Sequence, residues 1–326
     1  MKRREFIMLV SGAAAAWPVA ARAQPSGKTY RIGFLGVTSY ADRRRDVDAL
    51  RTGLRQLGYE EGKNIVIHYR WAEGRFDRLP ELATELVKIN VDVLVTHSTP
   101  GALAAKKATS TIPVVFAAVA DPIESRLVAS LARPGGNLTG LTFFADELVA
   151  KRLEFIKEAI PTLTRVAVLV NPANPGNLRI LSVAQRTASV LGVELMPTEV
   201  RARDDIADAI VTVARGRARA LMVFEDPLSI ANARQTAEFA LHNGLPMIGF
   251  KPHAEAGALM EYGVDLADLF YRSAAFVDKI LKGTPPSDLP IERAVKFDLV
   301  VNLKNAKTLG IELPTSLLLR ANEVIE

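Results

Sequence analysis

Four short segments of this 326-residue chain place polar residues where a bound molecule would meet them. In each, an apolar run ends, a Thr, Asn or Asp follows within a few positions, and proline comes next. They are Val93–Thr96 with Thr99-Pro100, Val114–Ala118 with Asp121-Pro122, Val166–Val170 with Asn174-Pro175, and Leu221–Phe224 with Asp226-Pro227. Thr, Asn and Asp are favoured N-caps and proline is favoured at the first helical position, so each segment predicts a strand running into a helix start. Asp121-Pro122-Ile123-Glu124 adds capping-box-like spacing, with Asp in place of Ser or Thr. Free N–H groups and about half a unit of positive charge at a helix start suit a carboxylate or other anionic oxygen. Asp121 and Asp226 would instead answer an ammonium group.

Catalytic and metal chemistry find less support. The chain has no cysteine, which removes disulfides, thiolate metal sites and cysteine nucleophiles together. Gly33-Phe34-Leu35-Gly36 does not fit a dinucleotide-binding glycine pattern, and no phosphate-binding GxxxxGK[ST] loop occurs. Ser98 sits beside His97 but not in a GxSxG elbow, and side chains adjacent in sequence on a strand end point apart. His68, His242 and His253 have no metal-ligand spacing among themselves. Neither an enzymatic activity nor a cofactor is expected.

The elements that carry these positions alternate. Short apolar runs at Arg31–Gly36, Asn64–Tyr69, Val91–Thr96 and Pro113–Ala118 read as buried strands, with helices at Asp42–Leu57 and Leu79–Ile89 and a further one over Ala102–Thr109. The breaker Arg133-Pro134-Gly135-Gly136-Asn137 and a strand at Thr139–Phe144 come next, and then the pattern restarts. Helices at Leu148–Ala159, Leu178–Leu191, Asp204–Ala214 and Ile230–His242 alternate with strands at Arg165–Val170, Val193–Thr198, Ala220–Phe224 and Pro246–Phe250. Apolar strands separated by helices predict an α/β fold of two doubly wound, Rossmann-like lobes with mostly parallel sheets. The tail holds one more strand (Gly257–Tyr262), a helix (Leu266–Leu281), a Pro-rich connector and a last strand (Val295–Leu303), which suggests further crossings between lobes. The expected division is 28–143 plus about 262–290 in lobe 1 and 144–261 plus about 291–326 in lobe 2. In open α/β sheets ligands bind beyond the carboxyl ends of the strands, so the site is expected in the cleft between the lobes.

Residues 1–23 stand apart. Lys2, Arg3 and Arg4 precede an apolar stretch that ends in Ala21-Arg22-Ala23, the order of a secretory signal with cleavage after Ala23. Arg3-Arg4-Glu5-Phe6-Ile7 is twin-arginine-like, though two arginines also serve as a plain basic leader. Without the leader, the +5 net charge falls to +2, and no basic block with interleaved aromatics suggests nucleic acid. Arg43-Arg44-Arg45 is expected to be the solvated first turn of a helix, because Val47, Leu50 and Leu54 follow at helical spacing. With an export signal and no Cys for a lipid anchor, the expected compartment is the periplasm.

Long runs resemble one family, the TrpX-like substrate-binding proteins of ABC importers. They are RREFI with AAAAWPVAARAQ, LRQLGYEEGKNIVIHYRWAEG from Leu54, TIPVVFAAVADPIESRLVASLARPGGNLTGLTFF from Thr111 and VAVLVNPANP from Val166. GALMEYGVD from Gly257, ILKGTPPSDLPIERAVKFDLVVNLKNAKTLGIELP from Ile280 and LLLRANEVIE complete them. The resemblance implies a type I periplasmic-binding-protein fold whose lobes, joined by three crossovers, close on a small-molecule solute. It also implies permease subunits at the inner membrane as partners, and the protein itself is expected to be a monomer. Carried over by position, the implied ligand neighbours are Thr38, Ser39, Ser98, Thr99, Ala120 and Asp121 from one side. Asn171, Asn174, Asp226 and Tyr262 come from the other. Glu261 stands where relatives commonly have Ser, and Val37-Thr38-Ser39-Tyr40 replaces a Ser/Pro-rich stretch. Glu261 either faces solvent, the preferred reading, or faces the cleft and favours an amino-bearing ligand. Tyr40, Trp71 and Phe76 are candidates for apolar cover. A sensor domain presenting ligand to a membrane receptor is the alternative, and a two-lobed enzyme a more distant one.

Overall fold

The computed structural model describes residues 28–251 and 253–326; the leader read over residues 1–23 lies outside them. The chain begins with β1 (Tyr30–Gly36), whose last five residues are buried, as a strand covered on both faces requires. Helix α1 (Tyr40–Gln56) comes next, then β2 (Ile65–Trp71), α2 (Leu79–Lys88), β3 (Val93–Thr96), α3 (Ser98–Ala108), β4 (Val114–Val119) and β5 (Leu138–Thr142). The second half runs α4 (Ala145–Ala159), β6 (Arg165–Val170), α5 (Pro175–Val190), β7 (Glu194–Glu199), α6 (Asp205–Arg215) and β8 (Ala220–Val223). It continues through α7 (Pro227–Ala231), α8 (Ala233–His242), β9 (Met247–Gly249), β10 (Met260–Val264) and α9 (Leu266–Leu281). The end consists of β11 (Glu292–Arg293), β12 (Phe297–Asn302), α10 (Leu303–Thr308), α11 (Thr315–Leu318) and β13 (Glu323–Ile325).

Two sheets result. The first has the order β11-β5-β4-β3-β1-β2 and is parallel throughout; the second has the order β13-β12-β10-β9-β8-β6-β7, with only β10 and β12 antiparallel. The chain passes between sheets three times: after β5, after β10 through α9 to β11, and between Arg293 and Phe297. Helix α9 packs along α1 on the first sheet. Gly53 makes that approach possible, since a Cβ there would lie 2.5 Å from the Tyr271 carbonyl oxygen and 2.8 Å from Ala274 Cβ.

The four strand-cap-proline junctions do not all resolve as expected. Asn174 and Asp226 cap α5 and α7 through their side chains, with proline next in each helix. At Thr99-Pro100 the helix starts earlier: His97 is the N-cap and both residues lie within the first turn. After Asp121-Pro122 no helix forms. Asp121 Oδ1 accepts from the Ile123 and Glu124 N–H groups as a cap would, but Arg126 takes φ +54° and the Leu127 and Val128 N–H groups turn back to the Pro122 carbonyl. Leu127 and Val128 are thereby buried in the same core cluster as Phe116, and this apolar burial overrides helix propagation. The helix expected over Ile230–His242 is broken at Asn232, which closes α7 and opens α8.

Gly140 occupies the point where the β4–β5 register shifts between Phe116 and Val119. Its φ is +147°, and a Cβ there would lie 2.0 Å from the Phe116 carbonyl oxygen. Both obstacles are backbone, so no side-chain rearrangement relieves them. Gly140→Ala is expected to cost about 3 kcal/mol or more, read as a fall in the urea midpoint. A loss below about 1 kcal/mol would show that this edge of the sheet yields.

Candidate ligand-binding site

The site starts where β3 ends. Thr96 Oγ1 donates to the Leu35 carbonyl at 3.0 Å and ties β3 to β1. His97 is buried, and its Nε2 accepts the Val37 N–H at 3.1 Å. The ring proton therefore sits on Nδ1. Burial first, and then the charge of Arg43, hold its pKa well below the usual histidine range, so it is a neutral wall. Ser98 has φ +58°, and its buried Oγ has no partner in the protein. A left-handed non-glycine residue with an orphaned hydroxyl at a helix start is the kind of strain that collects at ligand sites.

Arg43 corrects the reading of the arginine triplet. Arg44 and Arg45 are solvated, but Arg43 is only 3% exposed and points inward. The reason lies in the pattern itself: Arg43, Val47, Leu50 and Leu54 share one face of α1, and that face is buried. Arg43 Nη1 donates to Asp46 at 2.8 Å, while its buried Nε has no partner. Ser39 caps α1 in a reciprocal box with Asp42.

The second lobe contributes a polar cluster at the start of α5. Asp226, 2% exposed, accepts from the side-chain amides of Asn174 (2.8 Å), Asn177 (2.9 Å) and Asn171 (3.4 Å) and from the Leu228 N–H (2.9 Å). Burial raises its pKa, and these four donors oppose that. Beside it, Glu225 forms a bidentate pair with Arg152, whose side chain is fully buried. Arg152 Nε also donates to the Tyr262 carbonyl at 2.7 Å. Arg179 of α5 donates across the lobes to Asp121 at 2.9 Å and within its own lobe to Asp146 at 2.8 Å.

Between these parts lies a cavity of about 30 Å³, lined from both lobes. Its polar lining includes Arg43, His97, Ser98 and Thr99 from the first lobe and Asn174, Asn177 and Glu225 from the second. Its apolar lining includes Phe143, Ile180, Pro227, Ile230, Leu266 and Phe270. Of the residues expected from sequence, Ser98, Thr99, Ala120 and Asn174 line it. Thr38 is buried close to the His97 contact, with Oγ1 unpartnered. Asn171 and Asp226 stand behind Asn174, and Asp121 is engaged by Arg179. The Tyr262 ring packs edge-on against Phe155 and stacks on Phe297. Trp71 stacks on Tyr69 and meets Tyr40 edge-on, and Phe76 packs in a core cluster of the first lobe, so the aromatic lining is Phe143 and Phe270 instead.

Glu261 does not face solvent. It is 2% exposed, in a strand flanked by β9 and β12, where both sheet faces are covered. Its Oε2 accepts the Ala254 N–H at 2.9 Å, and it is not among the cavity's lining residues. Asn177 and Glu225 are cavity residues that the sequence reading does not single out. Asn177 lies one turn after the Asn174 cap, and Glu225 directly precedes the Asp226 cap, so position relative to the caps is the available signal.

Among the described residues, no helix is long and apolar enough to cross a membrane, and no cluster of three potential metal ligands occurs. The chain is 25% identical to the tyrosine-binding protein of Clostridioides difficile, over 88% of this chain and 83% of that one. It superimposes on an ABC domain in complex with L-Trp from Streptococcus pneumonia with a TM-score of 0.84, at 25% identity, covering 91% of this chain and all of the other. With the ligand-free, open structure of a Clostridium difficile substrate binding protein with adhesive properties, the TM-score is 0.65 at 26% identity, over 91% and 99% of the two chains. The two-lobed architecture is the type I periplasmic-binding-protein fold, and the family described as ABC transporter substrate binding protein matches residues 32–325; the chain belongs to that family of solute-capturing proteins.

Proposed function

We propose that this protein captures an amino-acid-like zwitterion between its lobes and presents the closed form to the permease of an ABC importer. The observation that carries the reading is the cavity's charge layout. Arg43 stands on the first-lobe wall with a free N–H, Glu225 stands on the second-lobe wall, and apolar residues fill the space around them. Arg43 is compensated by Asp46 and Glu225 by Arg152, so the walls are close to neutral overall. A net-neutral solute with separated charges and an apolar body matches both features. Tyrosine, for which one relative is named, and L-Trp, with which another is in complex, are of that class.

Hinge motion at the three crossings opens the cleft, and ligand stabilises the closed form because only that form touches it from both sides. Thr99, Asn174, Ser98 and Ala120 contact the solute, with Asp226, Asn171 and Thr38 supporting them and Asp121 holding the rim through Arg179. The leader directs export by a twin-arginine-like signal cut after Ala23, and the mature chain works in the periplasm as a monomer, without catalysis or cofactor.

Thermal-shift screening of the mature chain against amino acids, small carboxylates and purine or pyrimidine compounds tests this. At a hundred times its dissociation constant, the cognate solute should add about 2.7 kcal/mol of stability. Arg43→Met should weaken a carboxylate-bearing solute by about 10- to 100-fold, with some loss of stability because it leaves the Asp46 carboxylate without its partner. A screen in which no small solute shifts the melting temperature would remove the capture reading.

A further inference from the structure

We propose that Asn177 reads an N–H donor on the bound solute, and that Asp226 is the positioning residue that fixes which way the Asn177 amide faces. The inference rests on the solute-capture reading above and deepens it.

The hydrogen bonds around Asp226 lead to it. A carboxylate accepts and does not donate, so each asparagine that meets it must turn its NH2 group inward. Two of the three amides are fixed a second time by backbone. The Ala173 N–H donates to Asn171 Oδ1 at 3.0 Å, and the Gly176 N–H donates to Asn174 Oδ1 at 3.0 Å. A backbone N–H can only donate, so these two oxygens are correctly placed. Asn177 is the third. Its Nδ2 lies 2.9 Å from Asp226 Oδ2, which leaves its Oδ1 buried and without a partner, on a residue that is 1% exposed and lines the cavity.

An amide oxygen in that position can only accept. It is satisfied by an ammonium, amino or amide N–H of the solute, and a solute without one leaves it unpaired at the full desolvation cost. Glu225 shares this wall, but both of its oxygens already receive Arg152. The opposite wall makes the complementary demand: Arg43 Nε, also buried and unpartnered, can only donate. The solute is therefore held with its acceptor end toward Arg43 and its donor end toward Asn177. A molecule with only one of these ends leaves one wall unsatisfied when the lobes meet.

Matched pairs test this: L-phenylalanine against 3-phenylpropanoate, L-leucine against 4-methylpentanoate, and L-tryptophan against 3-indolepropanoate, each titrated calorimetrically into the full mature chain. The amino acid of the binding pair should be held about 10- to 100-fold more tightly than its amine-free partner. Asn177→Leu should bring that ratio close to one while leaving the affinity for the acid in place. Asp226→Asn should also shrink the ratio, because an asparagine there can donate to Asn177 and let its amide turn over. A purely structural role would lower both affinities together and leave the ratio unchanged. Equal wild-type affinity within a binding pair, or an Asn177→Leu ratio like that of wild type, overturns the inference and leaves solute capture standing. If the wild-type chain binds no member of any pair, the zwitterion reading fails and this inference with it. The wild-type comparison decides the matter even if a variant does not fold.

Discussion

Arg152→Met is expected to destabilise the folded protein by about 3–5 kcal/mol, because it strands the Glu225 carboxylate inside the second lobe. Arg152 is fully buried and Glu225 nearly so, and the guanidinium reaches both carboxylate oxygens as well as the carbonyls of Tyr262 and Val223. The guanidinium also lies over the Phe250 ring, 5.5 Å from its centroid. Removing one partner loses the attraction and keeps the desolvation cost of the other. The double variant Arg152→Met with Glu225→Leu should recover most of the loss, since it leaves no uncompensated charge. Urea denaturation of the single and double variants checks both statements. A loss under about 1 kcal/mol in the single variant would mean that water reaches Glu225 through the cavity it lines.

Glu261→Gln is expected to stabilise the protein at pH 8 and to change the sign of its acid response. Burial is the largest cause that pushes the Glu261 carboxyl up to about 7, opposed by the Ala254 N–H and Lys251, with Glu255 and Glu323 adding to the rise. In the unfolded chain the group titrates near 4.5. The folded state therefore holds a proton that the unfolded state has released, and stability declines as pH climbs from about 4.5 to about 7, by about 3 kcal/mol in total. His253, the residue before Ala254 in sequence, has the opposite effect. Its pKa falls from 6.5 to about 4, chiefly through burial, so its share of stability is intact above 6.5 and is lost as pH falls toward 4. Between about 4.5 and 6.5 the two slopes oppose each other. Gln at 261 keeps an acceptor for the Ala254 N–H and removes one slope. Unfolding measured at about pH 5, 6.5 and 8 should show a gain of about 3 kcal/mol at pH 8 and a protein that now weakens on acidification. A variant with the wild-type pH profile would show that Glu261 titrates as a solvated carboxylate.

The parts of the ligand site differ in how far they are legible in sequence. Strands such as Val93–Thr96 and Arg165–Val170 and helices such as Leu266–Leu281 arise from runs and periods of apolar residues, which are local properties. The Asn174 and Asp226 caps are local too, since each accepts an N–H two residues on. Asp121 shows the limit of local patterns. It makes the same local bonds, but burial of Leu127 and Val128 against residues distant in sequence sets the path of the chain beyond it. Arg43 is misplaced when its charge is weighed above its position on the face of Val47, Leu50 and Leu54.

Sequence alone determined the α/β alternation, the doubling of the pattern, the caps at Asn174 and Asp226 and the likeness to solute-binding proteins of ABC importers. All of these depend on residues within a few positions of one another or on long matching runs. Only the tertiary structure decided that Arg43, Ser98 and Asn177 share one cavity, that Arg152 neutralises Glu225, and that Glu261 is buried between β9 and β12. Those facts depend on three chain crossings that bring together residues far apart in sequence. An orphaned hydrogen-bonding atom is defined by everything packed around it, and no local pattern records that.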